Sequence, residues 1–486
     1  MKPLDAIVIG TGFAGIGMGI KLKQARFDDF VLLEKDDDLG GTWRDNTYPG
    51  CACDVPSYLY SYSFEPNPDW TQMFAPQQEI WEYTRHCADK YEITPHIRYR
   101  SAVTSARFDE DTSLWTVDTS AGDTYTARAL ISGVGALHVP RIPDIPGLDS
   151  FAGTWFHSAH WNHQHELTDR RVAVVGTGAS AIQFVPQIQP VVGHLDVYQR
   201  TAAWITPKPD RKIPTRERRL HRRFPLFQKA IRGLVYWGLE ARGAGFALDP
   251  RIMAMLERSA RKHLDRQVRD PRLRAALTPH YQIGCKRILI SDDFYPAVQQ
   301  PNVELVTDQI TEIRPHGLVT VDGVERPADT IIFGTGFDVS GNLMHLKVVG
   351  RDGRELSETW EREGISANLG ISIAGFPNLF LLVGPNTGLG HTSMIFMIER
   401  QADYVIDALQ QMRRRGAMSI EVRAAAQRAF ADRVQTKLSG TVWQSGCQSW
   451  YIDPSGRNST IWPYFAFKYW LETRRVKSRD YEFSRP

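Results

Sequence analysis

Cysteine is scarce in this chain: five among 486 residues, with no two spaced C-x-x-C. That scarcity argues against a disulfide framework and against a thiolate zinc site, and it suits a reducing, cytoplasmic setting. Long apolar runs are missing too, since none approaches the roughly 18 residues needed to cross a bilayer. The stretch from Ala6 to Ile20 comes nearest, but five glycines and Thr11 interrupt it and Asp5 precedes it, so it does not read as a signal peptide. Neither charge dominates. Lys plus Arg is 58 and Asp plus Glu is 55, a formal +3 that excludes a nucleic-acid binder driven by bulk electrostatics. What remains is globular: 42% hydrophobic and 23% charged residues can bury a large core, and the length suggests about three lobes.

The N-terminus runs from a short apolar strand straight into a glycine turn, Ala6-Ile-Val-Ile-Gly10-Thr-Gly12-Phe13-Ala14-Gly15. In G-x-G-x-x-G the first glycine makes the tight turn, the second admits a pyrophosphate, and the third lets the helix pack on the strand. The helix that follows turns its free N–H groups and the positive end of its dipole toward the phosphates. A second strand, Phe30 to Leu33, ends at Glu34, 19 residues past Gly15, where a carboxylate accepts from ribose hydroxyls. A second copy begins at Arg171: Val-Ala-Val-Val-Gly176-Thr177-Gly178-Ala179-Ser180-Ala181. Here the corresponding strand leads to Arg200, again 19 residues on, followed by Thr201. A cation at that point suits a ribose carrying a 2′-phosphate. The first unit is therefore expected to hold FAD and the second NADPH.

Two later strands also enter glycine turns, at Asp329 to Gly336 and at Asn378 to Gly390. They predict an α/β fold with two Rossmann-like dinucleotide-binding domains, the FAD domain interrupted by the NADP domain. The expected boundaries are 1–145 for the first part of the FAD domain, 146–334 for the NADP domain, and 335–486 for the second FAD part. Residues about 208–281, rich in arginine and poor in strand patterns, read as a helical insertion that walls the substrate cavity. Its basic residues beside Phe, Tyr and Trp also suit peripheral contact with a membrane surface.

Two longer motifs carry a resemblance. Phe151-Ala-Gly153-Thr-Trp-Phe-His157-Ser-Ala-His-Trp161 resembles the F-x-G-x-x-x-H-x-x-x-W fingerprint of the type I Baeyer–Villiger monooxygenases. Gly40-Gly41-Thr42-Trp43-Arg-Asp-Asn-Thr-Tyr48-Pro49-Gly50-Cys-Ala-Cys-Asp54 is similar to the family's G-G-x-W-x(4)-[FY]-P-G-x(3)-D stretch. The resemblance runs along almost the whole chain. It implies a monooxygenase that uses NADPH and O₂ to convert a ketone to an ester or lactone through a C4a-peroxyflavin.

What the resemblance implies for individual residues can be set beside the chemistry they would perform. In Gly284-Cys285-Lys286-Arg287, the family's active-site arginine falls on Arg287, and its orienting carboxylate on Asp54. Arginine cannot lose its proton, so it is a permanent cation for a peroxy anion and for the adduct it forms. Gly10, Gly12, Phe13, Ala14, Gly15, Glu34, Thr42, Trp43, Asp54, Tyr60, Val103 and Met394 would line FAD. Ala52, Cys53, Gly176, Thr177, Gly178, Ala179, Ser180, Ala181, Gln183, Arg200, Thr201, Lys286, Arg287 and Trp450 would line NADP, with Trp450 on a segment that closes over it.

Other readings of the same residues are less economical. His157, His160, His163 and His165 could be taken for a metal cluster, but no helical spacing or cysteine supports one, and no metal is expected. His157 instead reads as a structural residue in an interdomain linker. Cys51 and Cys53 stand one residue apart, not at the spacing of a redox dithiol, and Cys285 and Cys447 read as small buried residues. The expected partners are a small ketone and O₂, with no nucleic acid, in a monomer or homodimer. A flavin-containing monooxygenase that oxidises sulfur or nitrogen is the alternative activity. A nucleotide-binding regulator without turnover is the alternative class.

Overall fold

The computed structural model describes residues 2–248, 250–339, 343–447, 449–453 and 455–485. Its first sheet starts with β1 (Leu4–Ile9) and β2 (Phe30–Leu33), parallel strands joined by the helix Phe13–Gln24. All four residues of β2 and the last four of β1 are buried, the continuous apolar signature of a parallel strand covered on both faces. β3 (Ile97–Arg98), β4 (Val103–Asp109), β5 (Leu114–Thr119) and β6 (Thr124–Ser132) follow.

The chain then builds a second sheet from β7 (Thr154–His157), β8 (Arg171–Val175) and β9 (His194–Tyr198). β10 (Ile205–Thr206) and β11 (Leu289–Ile290) pair with each other and bracket the helical insertion. β12 (Val303–Val306) and β16 (Thr330–Phe333) complete the second sheet, while β13 (Ile310–Arg314), β14 (Gly317–Thr320) and β15 (Glu325–Pro327) form a small antiparallel sheet. The second sheet is parallel throughout, in the order β12-β9-β8-β16-β7. β17 (Lys347–Val349) and β18 (Leu379–Leu381) return to the first sheet, whose order is β17-β4-β5-β6-β1-β2-β3, with β18 on β6.

Two stretches connect the sheets, and they run side by side. Arg141 N–H donates to Gly336 O at 2.9 Å, Asp338 N–H donates to Val139 O at 2.9 Å, and Pro140 and Phe337 form an antiparallel bridge. The fingerprint around His157 is not itself the linker. Thr154–His157 is the edge strand of the second sheet, because Phe156 and His157 pair with Ile332 and Phe333. The buried His157 ring packs against Phe337 of the crossing, centroids 5.6 Å apart, and its Nδ1 accepts from Ala159 N–H at 3.1 Å.

The insertion is helical, as its composition suggests: Thr215–Arg223, Pro225–Ala247, Met253–Gln267 and Pro271–Ala276. The longest of these helices rests on the first lobe. Arg232 Nη1 donates to Tyr58 O, Leu59 O and Ser61 Oγ at 3.0 Å each, and Tyr236 stacks on Phe396. Its opposite side, with Leu226, Leu234 and Trp237, faces solvent.

Candidate active site

The two glycine turns are built alike. Gly10 sits at φ +91°, and a Cβ there would stand 2.8 Å from Gly133 O, just past β6. Gly176 sits at φ +107°, and its Cβ would stand 2.6 Å from Gly334 O, just past β16. In each lobe the turn after the central strand therefore crosses closely over the end of the neighbouring parallel strand, where only glycine fits. Each turn opens a helix with free N–H groups, a cradle that suits a pyrophosphate.

Glu34 ends β2 beside the first turn and is 4% exposed. Its carboxylate accepts from Thr11 N–H at 3.0 Å and from Asp36 N–H at 3.1 Å, and Arg44 Nη1 holds it at 3.3 Å. Gly41 lies against Gly12: a Cβ on Gly41 would be 3.2 Å from Gly12 Cα. Phe13, Trp43 and Tyr60 cluster there, with Trp43 Nε1 donating to Tyr60 Oη at 2.8 Å and Phe13 edge-on to Tyr60. Ala14 is buried in the first turn of the same helix, and Thr42 Oγ1 reaches Leu137 O at 3.5 Å. Val103 and Met394 lie further out. Val103 starts β4 against the cluster holding Ile9 and Leu33, and Met394 opens the helix Met394–Arg415.

The stretch from Gly50 to Asp54 is a seam between the lobes. Gln183, on the helix that follows the second glycine turn, donates to Ala52 O at 3.0 Å and accepts from Ala52 N–H at 3.3 Å and from Tyr48 Oη at 3.0 Å. Two residues on, Asp54 Oδ2 accepts from Arg287 Nε at 2.9 Å and also from Arg287 Nη2. The Asp54 charge, and secondarily Tyr451, hold the Arg287 guanidinium above its usual range. Nη1 donates to no described residue. Arg287 is 37% and Asp54 30% exposed in their side chains, so the pair borders open space.

Next to it, Lys286, Arg200, Thr201 and Tyr281 line a cavity of about 530 Å³ at the carboxyl end of β9. Lys286 Nζ lies 4.9 Å from the Tyr281 ring centre. Burial first, and then the Arg200 charge, lower the Lys286 ammonium below its ordinary value. An anion between these two cations would relieve both effects. Thr177, Gly178, Ala179, Ser180 and Ala181 form the adjoining turn and helix start.

Sequence reasoning missed two features. Cys285 and Cys447 are joined by a disulfide across 162 residues, which corrects their reading as separate buried residues. No local spacing announces such a pair, because it depends on tertiary approach. Tyr451, 2% exposed, comes within electrostatic reach of Arg287, and Trp450 beside it is 44% exposed. Cys51, Cys53 and Cys87 are free thiols. Burial pushes the Cys51 thiol up to about 12 and Cys53 well above its ordinary value, which removes thiolate character from both. The histidines of and after the fingerprint go separate ways: His163 meets Thr47 at 2.8 Å and His165 meets Thr330 at 2.7 Å.

Known proteins resemble this chain over almost its whole length. A family profile described as pyridine nucleotide-disulphide oxidoreductase matches residues 7–225. A Baeyer-Villiger monooxygenase of Pseudomonas aeruginosa is 49% identical over 479 residues, which cover 98% of this chain and 91% of that protein. One of Streptomyces coelicolor is 48% identical over 482 residues, covering 99% and 92%. Among solved structures, OTEMO in complex with FAD and NADP superposes with a TM-score of 0.89 at 29% identity, covering 99% of both chains.

Proposed function

The chain belongs to the type I Baeyer–Villiger monooxygenases, FAD-containing and NADPH-dependent ketone oxygenases, and we propose that Arg287, Asp54 and Lys286 carry its chemistry. When bound, FAD reduced by NADPH supplies activated dioxygen to the ketone. The role of the protein is then to position, shield and neutralise. Arg287 is the permanent cation, with Nε and Nη2 committed to Asp54 and Nη1 free to meet the negative charge that develops on the carbonyl oxygen. Asp54 fixes the guanidinium plane, so little reorganisation remains when the charge appears. This contact, made between residues 233 apart, is the single observation that carries the assignment.

The turn Gly10–Gly15 would hold the FAD pyrophosphate and Glu34 its ribose, with Phe13, Thr42, Trp43, Tyr60, Val103 and Met394 as further lining. The turn Gly176–Ala181 would hold NADP, Arg200, Thr201 and Lys286 would meet its 2′-phosphate, and Ala52, Cys53, Gln183 and Trp450 would complete its lining. The division of the chain at about 145 and 334 follows from this reading and is supported by sheet membership: β16 pairs with both β7 and β8, and β17 returns to β4. Cytoplasmic action is part of the proposal, because the reaction draws on NADPH. No described helix is long and apolar enough to cross a membrane.

The test is direct. Purified protein with NADPH, O₂ and linear, cyclic and aryl ketones should yield esters or lactones identified by mass. A thioether run in parallel separates ketone oxygenation from sulfur oxidation. Oxidation of the thioether alone would favour the alternative activity.

We also propose that the insertion rests on an anionic lipid surface. Residues 208–281 hold 19 Lys and Arg against 7 Asp and Glu, while the rest of the chain holds 39 against 48. Leu226, Leu234 and Trp237, on one side of the helix Pro225–Ala247, are 79%, 75% and 60% exposed. Apolar side chains within a basic surround complement acidic headgroups over acyl chains.

A further inference from the structure

The disulfide Cys285–Cys447 takes no part in the oxygenation described above, yet it touches both halves of the site. Cys285 is fully buried and directly precedes Lys286 and Arg287. Cys447 is partly exposed and lines the same cavity as Arg200, Thr201 and Lys286. A few residues on, Tyr451 is buried near Arg287. Burial pushes its phenol up to about 12, while the Arg287 charge works the other way. The C-terminal chain is thus joined covalently to the Gly284–Arg287 turn.

We propose that Cys285 and Cys447 are a redox-modification site, a thiol pair that hydrogen peroxide oxidises to a disulfide that straps the C-terminal chain at Cys447 to the wall of the NADP cavity. The proposal rests on the assignment of that cavity to the NADP 2′-phosphate. With the bond formed, the strap cannot leave the cavity mouth. With the bond reduced, only the packing of Tyr451 and its neighbours holds it, and the nucleotide exchanges freely.

The chemistry balances. The Cys447 sulfur, on the solvent side and in an electropositive surround, attacks one peroxide oxygen. The O–O bond breaks, hydroxide leaves and takes up the thiol proton as water, and Cys447 becomes a sulfenic acid. The Cys285 sulfur then attacks the Cys447 sulfur, the S–O bond breaks, and a second water leaves with the Cys285 proton. Two thiols lose two electrons and two protons, and one peroxide becomes two waters. A small dithiol reverses the step by thiol–disulfide exchange and is itself oxidised to a disulfide. Peroxide arises when NADPH and O₂ are consumed without ketone, so the strap would close on an enzyme that lacks substrate.

The experiment uses the full-length, FAD-loaded protein, reduced with dithiothreitol and desalted, with half then treated with hydrogen peroxide. After denaturation and alkylation, the oxidised half should show three reactive thiols, those of Cys51, Cys53 and Cys87, and a linked Cys285–Cys447 peptide pair. The reduced half should show five. NADP⁺ release, followed by stopped-flow displacement, should be at least about fivefold slower from the oxidised half, as expected of a nucleotide whose exit requires a strap to open. Cys447→Ser and Cys447→Ala should release NADP⁺ at the reduced rate whether or not peroxide is added. Five reactive thiols after peroxide, or equal release rates from the two halves, would overturn the proposal. Failure of the reduced protein to bind NADPH would instead overturn the cavity assignment, and the strap with it.

Discussion

Arg287 gives two of its three nitrogens to one oxygen of Asp54, and the third remains for whatever enters the cleft. Arg287→Ala is expected to keep NADPH-driven flavin reduction while ester formation falls by roughly 100-fold or more, the cost of removing a preorganised charge stabiliser. Product analysis beside an assay for released hydrogen peroxide checks this. Normal ester yield would remove Arg287 from the chemistry. Asp54→Asn should show the same pattern more mildly, since the cation stays but loses its anchor.

Lys286→Ala should raise KM for NADPH by about 10- to 100-fold, the range of a lost charge-assisted hydrogen bond to an anion. KM for NADH, which lacks the 2′-phosphate, should hardly change. Steady-state kinetics with both nucleotides distinguish this from general damage, which would affect both alike.

Gly10→Ala places a methyl group 2.8 Å from Gly133 O on a backbone at φ +91°. The purified variant should carry far less flavin than the parent, read from the ratio of flavin to protein absorbance. Full flavin occupancy would mean that the turn does not hold the cofactor.

His157 gives the protein a pH dependence of known sign. Burial lowers its imidazole from 6.5 to about 4, so the unfolded chain takes up this proton more readily than the folded one. The stability it contributes is complete above pH 6.5 and is lost as pH falls toward 4. Denaturant midpoints of His157→Gln should vary less across that window than those of the parent. Parallel curves would refute the role.

The insertion should bring the protein down with sedimenting vesicles of anionic phospholipid but not with neutral ones, and added salt should weaken the binding. Leu234→Ser with Trp237→Ser should abolish it. Absence of binding, or dimerisation through this face in place of it, would reject the lipid assignment.

The nucleotide units were legible because their signals are local: a turn that only glycine fits and an end-of-strand charge fall within a few dozen residues. Glu34 and Arg200 lie where the matching intervals place them, at the ends of β2 and β9. The Asp54–Arg287 pairing was legible only through resemblance, since no spacing links residues 233 apart. The disulfide was misread for the same reason in reverse: a low cysteine count describes the average of a chain, not the approach of two particular loops. The fingerprint around His157 suggested a linker because its histidines and aromatics lack strand alternation, yet pairing with β16 makes part of it an edge strand. Tyr451 and the clamp of Arg44 on Glu34 are contacts that only tertiary packing supplies.

The paired crossings at 139–141 and 336–338 limit how the halves of the molecule move. Two ropes tied together make one hinge pin, so the halves can pivot about a common axis but cannot slide apart or twist independently. Asp54 belongs to one half and Arg287 to the other, and a pivot wide enough to pull the carboxylate and guanidinium apart needs the Cys285–Cys447 bond, two residues from Arg287, to be open as well. The couple that readies the cleft for reaction therefore also serves as its clasp, intact only while the jaws are shut.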